Sequence, residues 1–559
     1  MTLLDWTIVV GVNGAIIVAG LILARKTKSS VDWFLASRGL PWWLVGLSMF
    51  ATAVDSGDYV AVVGGAYSYG INNLTTWWLG MPIGWFLVSY VILVPLYRSG
   101  MFTNAEYLEH RFGPTARVLS AIIQLQYRTN VLANIAFSLY LLFRVLTGWG
   151  DETWWVVVAI AFGAAIYTAT GGLRSVAVTD AIQSIVMAIA SIVLWVVIWN
   201  VVGGWSGLEK RLERTDPKLV DTMLHVGGQN TEGVPSTVMI LSWVIILSGY
   251  VVVNHSQSMR MLAARSLTDL KIAALVGSIL TALIMWFNVS LGVMGRGILP
   301  NLALHDEVYP RLVQDYLGPG LIGVVVAGLL AGGISTYDSI GSALAAVFTR
   351  DIYARFFVKN REDRHYLTVS RVMTFVVIAL SFGYVPFLKE GMIAFYIRLT
   401  SIAVTPLFTI YLMGTMTRVN RRSGTVGLLV GMTYGLTAFL SYQNDWPLEL
   451  YLIHPRWAYL WSILVTATAM VLSSAIWGWE RKEHIEALTY SGAQETPNET
   501  LVSPAGESTW LESTRREAAA MAAPGSEHMD RPRPWYASPW FWSCVFLAVI
   551  AYINLVVLW

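Results

Sequence analysis

The chain has one cysteine, Cys544, among 559 residues. That excludes an intramolecular disulfide, a cysteine-rich metal cluster and a CxxC redox pair. Charge is equally scarce, at 13% of residues, where a soluble chain carries about a quarter. A water-facing surface of this size is therefore not covered. The net charge of +2 leaves no basic field for nucleic acid. The chain has no HExxH, GxSxG or Walker loop, and its eight histidines are scattered, so no enzyme is read here. What is abundant is apolar: 55% hydrophobic residues, 25 Trp and 25 Tyr, with a mean hydropathy of +0.57. Trp and Tyr collect at membrane–water boundaries. The composition is that of a multi-pass membrane protein.

A hydrocarbon core of about 30 Å needs roughly 20 apolar residues per helix. On that rule the chain predicts an all-α protein with about fourteen spans, near 5–24, 41–66, 72–97, 115–147, 152–170, 176–202, 237–258, 269–296, 319–349, 365–388, 391–417, 421–442, 457–477 and 536–558. Arg25, Lys26 and Lys28 follow the first apolar run. The arginines and lysines of alternate loops (Arg98, Arg111 and Arg117; Arg174; Arg260 and Arg265; Arg350 and Arg355; Arg418 to Arg422) fall on the same side. Positive residues mark the inner face, so both termini are expected outside. His255 reads as a satisfied polar residue. A loop at 203–236 lies outside, and a polar segment at 478–535 lies inside. That segment begins with Trp479 to Glu483 able to extend a helix, is disordered in its Ser/Thr/Pro/Glu-rich middle, and carries an idle sequon at Asn498.

Polar groups inside spans are costly and face a cavity or the bundle interior. The second span is interrupted by Val54-Asp55-Ser56-Gly57-Asp58. Either the helix is broken there and turns carbonyl oxygens toward a cation, or it is only kinked and its acids pair with arginine. The ninth span carries Ser335, Thr336, Asp338 and Ser339 after the small residues Ala331-Gly332-Gly333. These are hard oxygen ligands suited to Na⁺, or else packing devices between helices. Asp180 either caps the sixth span or binds an ion. Arg128 and Arg398 stand alone in the fourth and eleventh spans and cannot shed a proton. Four interior acids against two arginines leave a deficit of two positive charges, to be met by one or two coupling ions or by proton uptake.

Several motifs in order resemble the sodium:solute symporter family, the family of sodium/proline, sodium/glucose and sodium/sialic acid transporters. They are Phe102 to Gly113, Gly171-Gly172-Leu173-Arg174 with Thr179-Asp180-Ala181-Ile182-Gln183, Asn254 to Ser266, Phe348 to Tyr353, and Pro406 with Arg418 to Gly424. The resemblance implies a leucine-transporter-like (LeuT-type) fold with 5+5 inverted repeats, here 41–202 and 237–417. Residues 1–40 form a first span and loop, 418–477 two extra spans, and 536–559 the last span. It maps a sodium site onto the carbonyls of Ala51, Val54 and Gly332 and the hydroxyls of Ser335 and Thr336. A further site maps onto Asp180, Ser335, Asp338 and Ser339, where Asp338 replaces a serine. The sugar-transporting members place polar groups at positions matching Asp58, Trp77, Asn254, Ile279 and Arg398. Asn254 matches, whereas Trp77 and Ile279 replace an acid and a lysine, so a galactose-like pattern is not preserved. Asp58, Trp77, Asn254 and Arg398 stay as solute candidates. Asp55 and Arg128 are further solute candidates, and both arginines are alternatively internal counter-ions. Tyr59, Trp77 and Trp78 are gate or packing residues.

The expected activity is secondary uptake of a small polar organic solute (a sugar, amino acid or carboxylate-bearing compound) with Na⁺. No organic cofactor is expected, and the partners are the solute and the bilayer of a cell (inner) membrane, around a monomer. A proton-coupled symporter of the same fold and a solute sensor are the alternatives.

Overall fold

The computed structural model describes residues 1–24, 29–228, 234–390, 392–495, 504–521 and 534–559. Arg25, Lys26, Lys28 and the Asn498 sequon lie outside these. Seventeen helices carry the argument: α1 (Leu3–Ala24), α2 (Trp42–Ala53), α3 (Ser56–Tyr69), α4 (Thr76–Arg98), α5 (Asn104–Phe112), α6 (Pro114–Thr147), α7 (Thr153–Val202), α8 (Ser236–Val253), α9 (His255–Leu262), α10 (Leu267–Ile298), α11 (Leu321–Phe357), α12 (Asp363–Ser381), α13 (Met392–Met416), α14 (Ser423–Gln443), α15 (Pro455–Trp477), α16 (Thr509–Met521) and α17 (Pro539–Val557). The described residues form no β-strand, and one isolated bridge joins Leu40 to Ala264. Eleven helices among them are long and apolar enough to cross a membrane. The expected spans beginning at 41, 152 and 391 fall instead on shorter apolar helices, Trp42–Ala53, Thr153–Ile166 and Thr400–Met416.

The central packing joins α11 to α7, with α2 laid against α10 and α7 and α3 against α10. Small residues set this spacing. A Cβ on Gly328 of α11 would stand 2.3 Å from the Ala190 Cβ of α7, so only glycine admits the approach. α7 bends at Gly172, where φ is +65°, and a Cβ there would meet the Trp33 Cα at 2.8 Å.

Two spans are broken, and only one break is announced by its sequence. α2 ends at Val54 and Asp55, both extended, and Asp55 then caps α3. α8 ends at Asn254 (φ −73°, ψ 102°), whose Oδ1 accepts from the Ser256 amide at 3.0 Å and caps α9. An asparagine side chain offers the backbone this alternative to a helix, whereas no charged residue marks the helix before it.

Of the arginines assigned to loops, Arg174, Arg265, Arg418, Arg421 and Arg422 are exposed, whereas Arg111, Arg117, Arg260, Arg350 and Arg355 are buried. Arg117 pairs with Glu109 at 2.6 Å and Asp351 at 2.7 Å, and Arg355 with Glu109 at 2.6 Å. The Phe102–Gly113 and Phe348–Tyr353 motifs thereby meet in one buried ion network. The polar segment joins it, which corrects the expectation of disorder for the part that is described. In α16, Trp510, Leu511 and Ala518 are buried and Trp510 stacks on Tyr366 at 4.1 Å. Arg515 pairs with Glu106 at 3.0 Å and Glu507 at 2.7 Å. Burial pushes the Glu106 carboxyl up, but the Arg350 and Arg515 guanidiniums outweigh it and hold it at about 2. Trp479 to Glu483 does not extend α15, because Gly478 (φ +87°) ends that helix.

Candidate cation and solute site

The break between α2 and α3 is built by its own acids. The Asp58 amide donates to Asp55 Oδ1 and the Asp55 amide to Asp58 Oδ2, both at 3.0 Å. This capping box stabilises the start of α3, and it has a second effect. In a continuous helix the Asp55 amide would bond the Ala51 carbonyl and the Asp58 amide the Val54 carbonyl. Both amides are captured, so those two carbonyls lose their helical donors.

α11 passes the break at this point. A Cβ on Gly332 would lie 3.5 Å from the Asp55 Cα, and Gly333 faces the Ser56 hydroxyl. Ser335 Oγ lies 3.1 Å from the Ala51 carbonyl and 2.6 Å from Asp180 Oδ1. Its one proton goes to the ionised carboxylate, the stronger acceptor. The serine lone pair and the Ala51 carbonyl then face each other as two acceptors. Thr336 Oγ1 is buried beside Ser335 with no hydrogen-bond partner. Oxygen lone pairs gathered without a donor suit a hard cation, so the Ala51 carbonyl and the Ser335 and Thr336 hydroxyls could hold one.

The second expected ligand set does not assemble as expected. Asp180 Oδ2 accepts from Ser48 Oγ at 2.5 Å and from Arg260 Nη2 at 3.0 Å. Arg260 Nε donates to Ser48 at 2.7 Å, Nη1 to the Ser256 carbonyl at 2.8 Å, and Nη2 also to Ser339 Oγ. Arg260, counted above as a loop charge, is fully buried. Ser48 and Arg260 were not singled out, although Arg260 sits within the Asn254–Ser266 motif, six residues after the second break. Asp338 points elsewhere: its Oδ1 accepts from Thr168 at 2.5 Å and its Oδ2 has no partner. Side chains three apart on a helix lie near one another but not on one line, and Asp338 is turned to the α7 residue Thr168 instead of Asp180.

A cavity opens beside the break, lined by Ala53, Asp55, Asp58, Asn73, Thr76, Trp77, Asn134, Trp243 and Tyr250 among others. Asp55, Asp58 and Trp77 were expected there; Asn73, Thr76, Asn134, Trp243 and Tyr250 were not, since residues distant in sequence supply them. Asn254 is spent on capping. Arg128 is buried below the cavity, with its guanidinium carbon 5.1 Å from the Tyr250 ring centre and Nη2 3.4 Å from Ser256 Oγ. Ile279, which stands where the sugar-transporting members have a lysine, is 44% exposed. Tyr59 donates to the Met187 carbonyl at 3.0 Å and accepts from Ser191, and Trp78 donates to the Ala282 carbonyl at 2.9 Å. Both are packing residues. The Arg398 side chain lies outside the described residues.

The chain is similar to known proteins. The family model "Sodium:solute symporter family" matches residues 33–435. Sodium/glucose cotransporter 4 of Danio rerio is 27% identical over 74% of this chain and 68% of its own length. Sodium/myo-inositol cotransporter 2 of Bos taurus is 25% identical over 85% of this chain and 77% of its own. Among solved structures, a Na⁺-coupled sialic acid symporter in a substrate-bound outward-open state superposes with a TM-score of 0.73. Its identity is 18%, covering 86% of this chain and 99% of that one. These neighbours carry the leucine-transporter-like fold, and sodium-coupled solute symport across a membrane is the activity they support. With the family model matched over most of its length, the chain belongs to the sodium:solute symporter family.

Proposed function

We propose that the protein imports a neutral, polyhydroxylated solute of sugar or cyclitol size, driven by Na⁺. The observation that carries this is that Asp55 belongs to both sites: it lines the cavity and, with Asp58, strips the Ala51 and Val54 carbonyls of their donors. The cavity offers carboxylate and amide groups for hydroxyls and the rings of Trp77, Trp243 and Tyr250 for the apolar face of a sugar. The relatives named for glucose and myo-inositol support that solute class.

Na⁺ held by Ala51, Val54, Gly332, Ser335 and Thr336 supplies fixed positive charge at the break. The chain's own part is to hold α2, α3 and α11 in register, so that solute meets a formed cavity. Such coupling is typically worth about 1–3 kcal/mol. Two inverted repeats, 41–202 and 237–417, then rock about the site, and the matched breaks at Asp55 and Asn254 near the start of each support that symmetry. The reading includes fourteen spans, both termini outside, a monomer and a cell (inner) membrane.

A thermal-shift screen of purified protein against sugars, cyclitols, amino acids and carboxylates, in NaCl and in choline chloride, tests the proposal. Stabilisation by a sugar or cyclitol only in Na⁺ is the expected result. Stabilisation by amino acids or carboxylates alone would replace the solute class. Proton coupling, which the partnerless Asp338 Oδ2 favours, would appear as solute stabilisation and uptake that persist in choline at fixed pH.

A further inference from the structure

One wall of the cavity is held by a side chain that comes from outside the two proposed repeats. Trp243 of α8 lines the cavity. Its ring is fixed at the edge, where Nε1 donates to Asn72 Oδ1 at 2.8 Å. Asn72 is fully buried, and its Nδ2 donates to the Val226 carbonyl. The face of the ring is fixed by Arg456, whose guanidinium carbon stands 3.7 Å from the ring centre. Arg456 is the second residue of α15, and its amide donates to Nδ1 of the capping His454 at 3.2 Å. Tyr69 of α3 completes the clamp, its ring centre 5.9 Å from that of Trp243 and 5.5 Å from the guanidinium carbon. Arg456 is 4% exposed, yet its polar partners are few. Nη1 reaches Ser242 Oγ only at 3.5 Å, Nη2 has no hydrogen-bond partner, and among the described residues no carboxylate pairs with it. A buried charge without an acid is costly, and an apolar residue of similar volume would fill the place at less cost. What offsets the charge here is the faces of Trp243 and Tyr69, so its stabilising contacts are with the cavity wall.

We infer that Arg456 is a positioning residue for the solute: stacked on Trp243, it holds the indole as a flat platform for the apolar face of a sugar or cyclitol ring. The inference rests on the solute class proposed above. A guanidinium covers one face of the indole, so only the other face can meet solute. An indole fixed at face and edge has little rotamer freedom left to lose when solute binds. Lysine cannot replace the arginine here, because an ammonium is a point charge with no flat face to stack. A span that lies outside both proposed repeats thereby sets the shape of the cavity between them.

The test titrates the melting temperature of the purified full-length protein with D-glucose and with myo-inositol in saturating NaCl, and with NaCl in the absence of solute. Arg456→Gln should raise the half-saturating solute concentration about ten-fold and leave the half-saturating Na⁺ concentration unchanged. Arg456→Lys should raise the solute concentration as well. In a Trp243→Phe background the platform is already reduced, so Arg456→Gln should change solute affinity there by less than about two-fold. An equal loss in both backgrounds, or solute affinity unchanged in Arg456→Gln, would overturn the inference and leave the solute class intact. Should Arg456→Gln show no melting transition, Arg456→Lys, which keeps a cation against the ring, is carried through the same cycle and decides. Failure of both solutes to stabilise the wild type would overturn the solute class itself, and the inference with it.

Discussion

Asp55 and Asp58 act chiefly through the backbone. Each carboxylate takes the amide of the other residue, and the donors removed are those of Ala51 and Val54. Replacing Asp58 by Ala returns the Asp55 amide to Ala51 and should raise the Na⁺ concentration for half-maximal binding about ten-fold, which corresponds to about 1.4 kcal/mol. Ser335→Ala with Thr336→Ala removes two oxygen ligands and should raise it further while expression in the membrane stays normal. Sodium titration of the melting temperature reads both. Half-saturation unchanged in the double variant would remove these hydroxyls from the site.

At the scale of elements, α16 is anchored to the end of the bundle by a buried guanidinium. Arg515→Ala strands Glu106 and Glu507, and breaking a buried pair costs about 3–5 kcal/mol, partly offset here because Arg350 also faces Glu106 at 3.9 Å. The expected outcome is a lower melting temperature and proteolysis near 504–521. Acid acts on the same anchor. Glu106 titrates at about 2 when folded against an ordinary value of 4.5. Its contribution is therefore complete above pH 4.5 and is lost as pH falls toward 2. Wild type should lose this protection over that window, and Arg515→Ala should show a shallower pH dependence across it.

For the whole molecule, the proposed orientation puts the end that carries the ion network of Glu106, Glu109, Arg117, Asp351, Arg355 and Arg515 inside. Single cysteines placed at Thr2 and Leu558 in a Cys544→Ser background should react with a membrane-impermeant maleimide in intact cells. One at Glu512 should react only after permeabilisation. The reverse pattern would invert the protein and with it the direction assigned to transport.

Much of this was legible along the chain. Apolar runs of span length place the helices because a bilayer admits little else, and the acids within Val54–Asp58 mark the first break because a carboxylate in a span needs a local reason. Ser335 and Thr336 are readable for the same cause. Asn254 was not readable as a break, nor Asn73, Trp243 and Tyr250 as a cavity wall, since each depends on helices that meet only after folding. Arg260 shows the difference most sharply. By sequence it is one more basic residue after a span. Only the packing of α9 against α2, α7 and α11 buries it on Asp180, and a buried charge takes its meaning from the partner it finds.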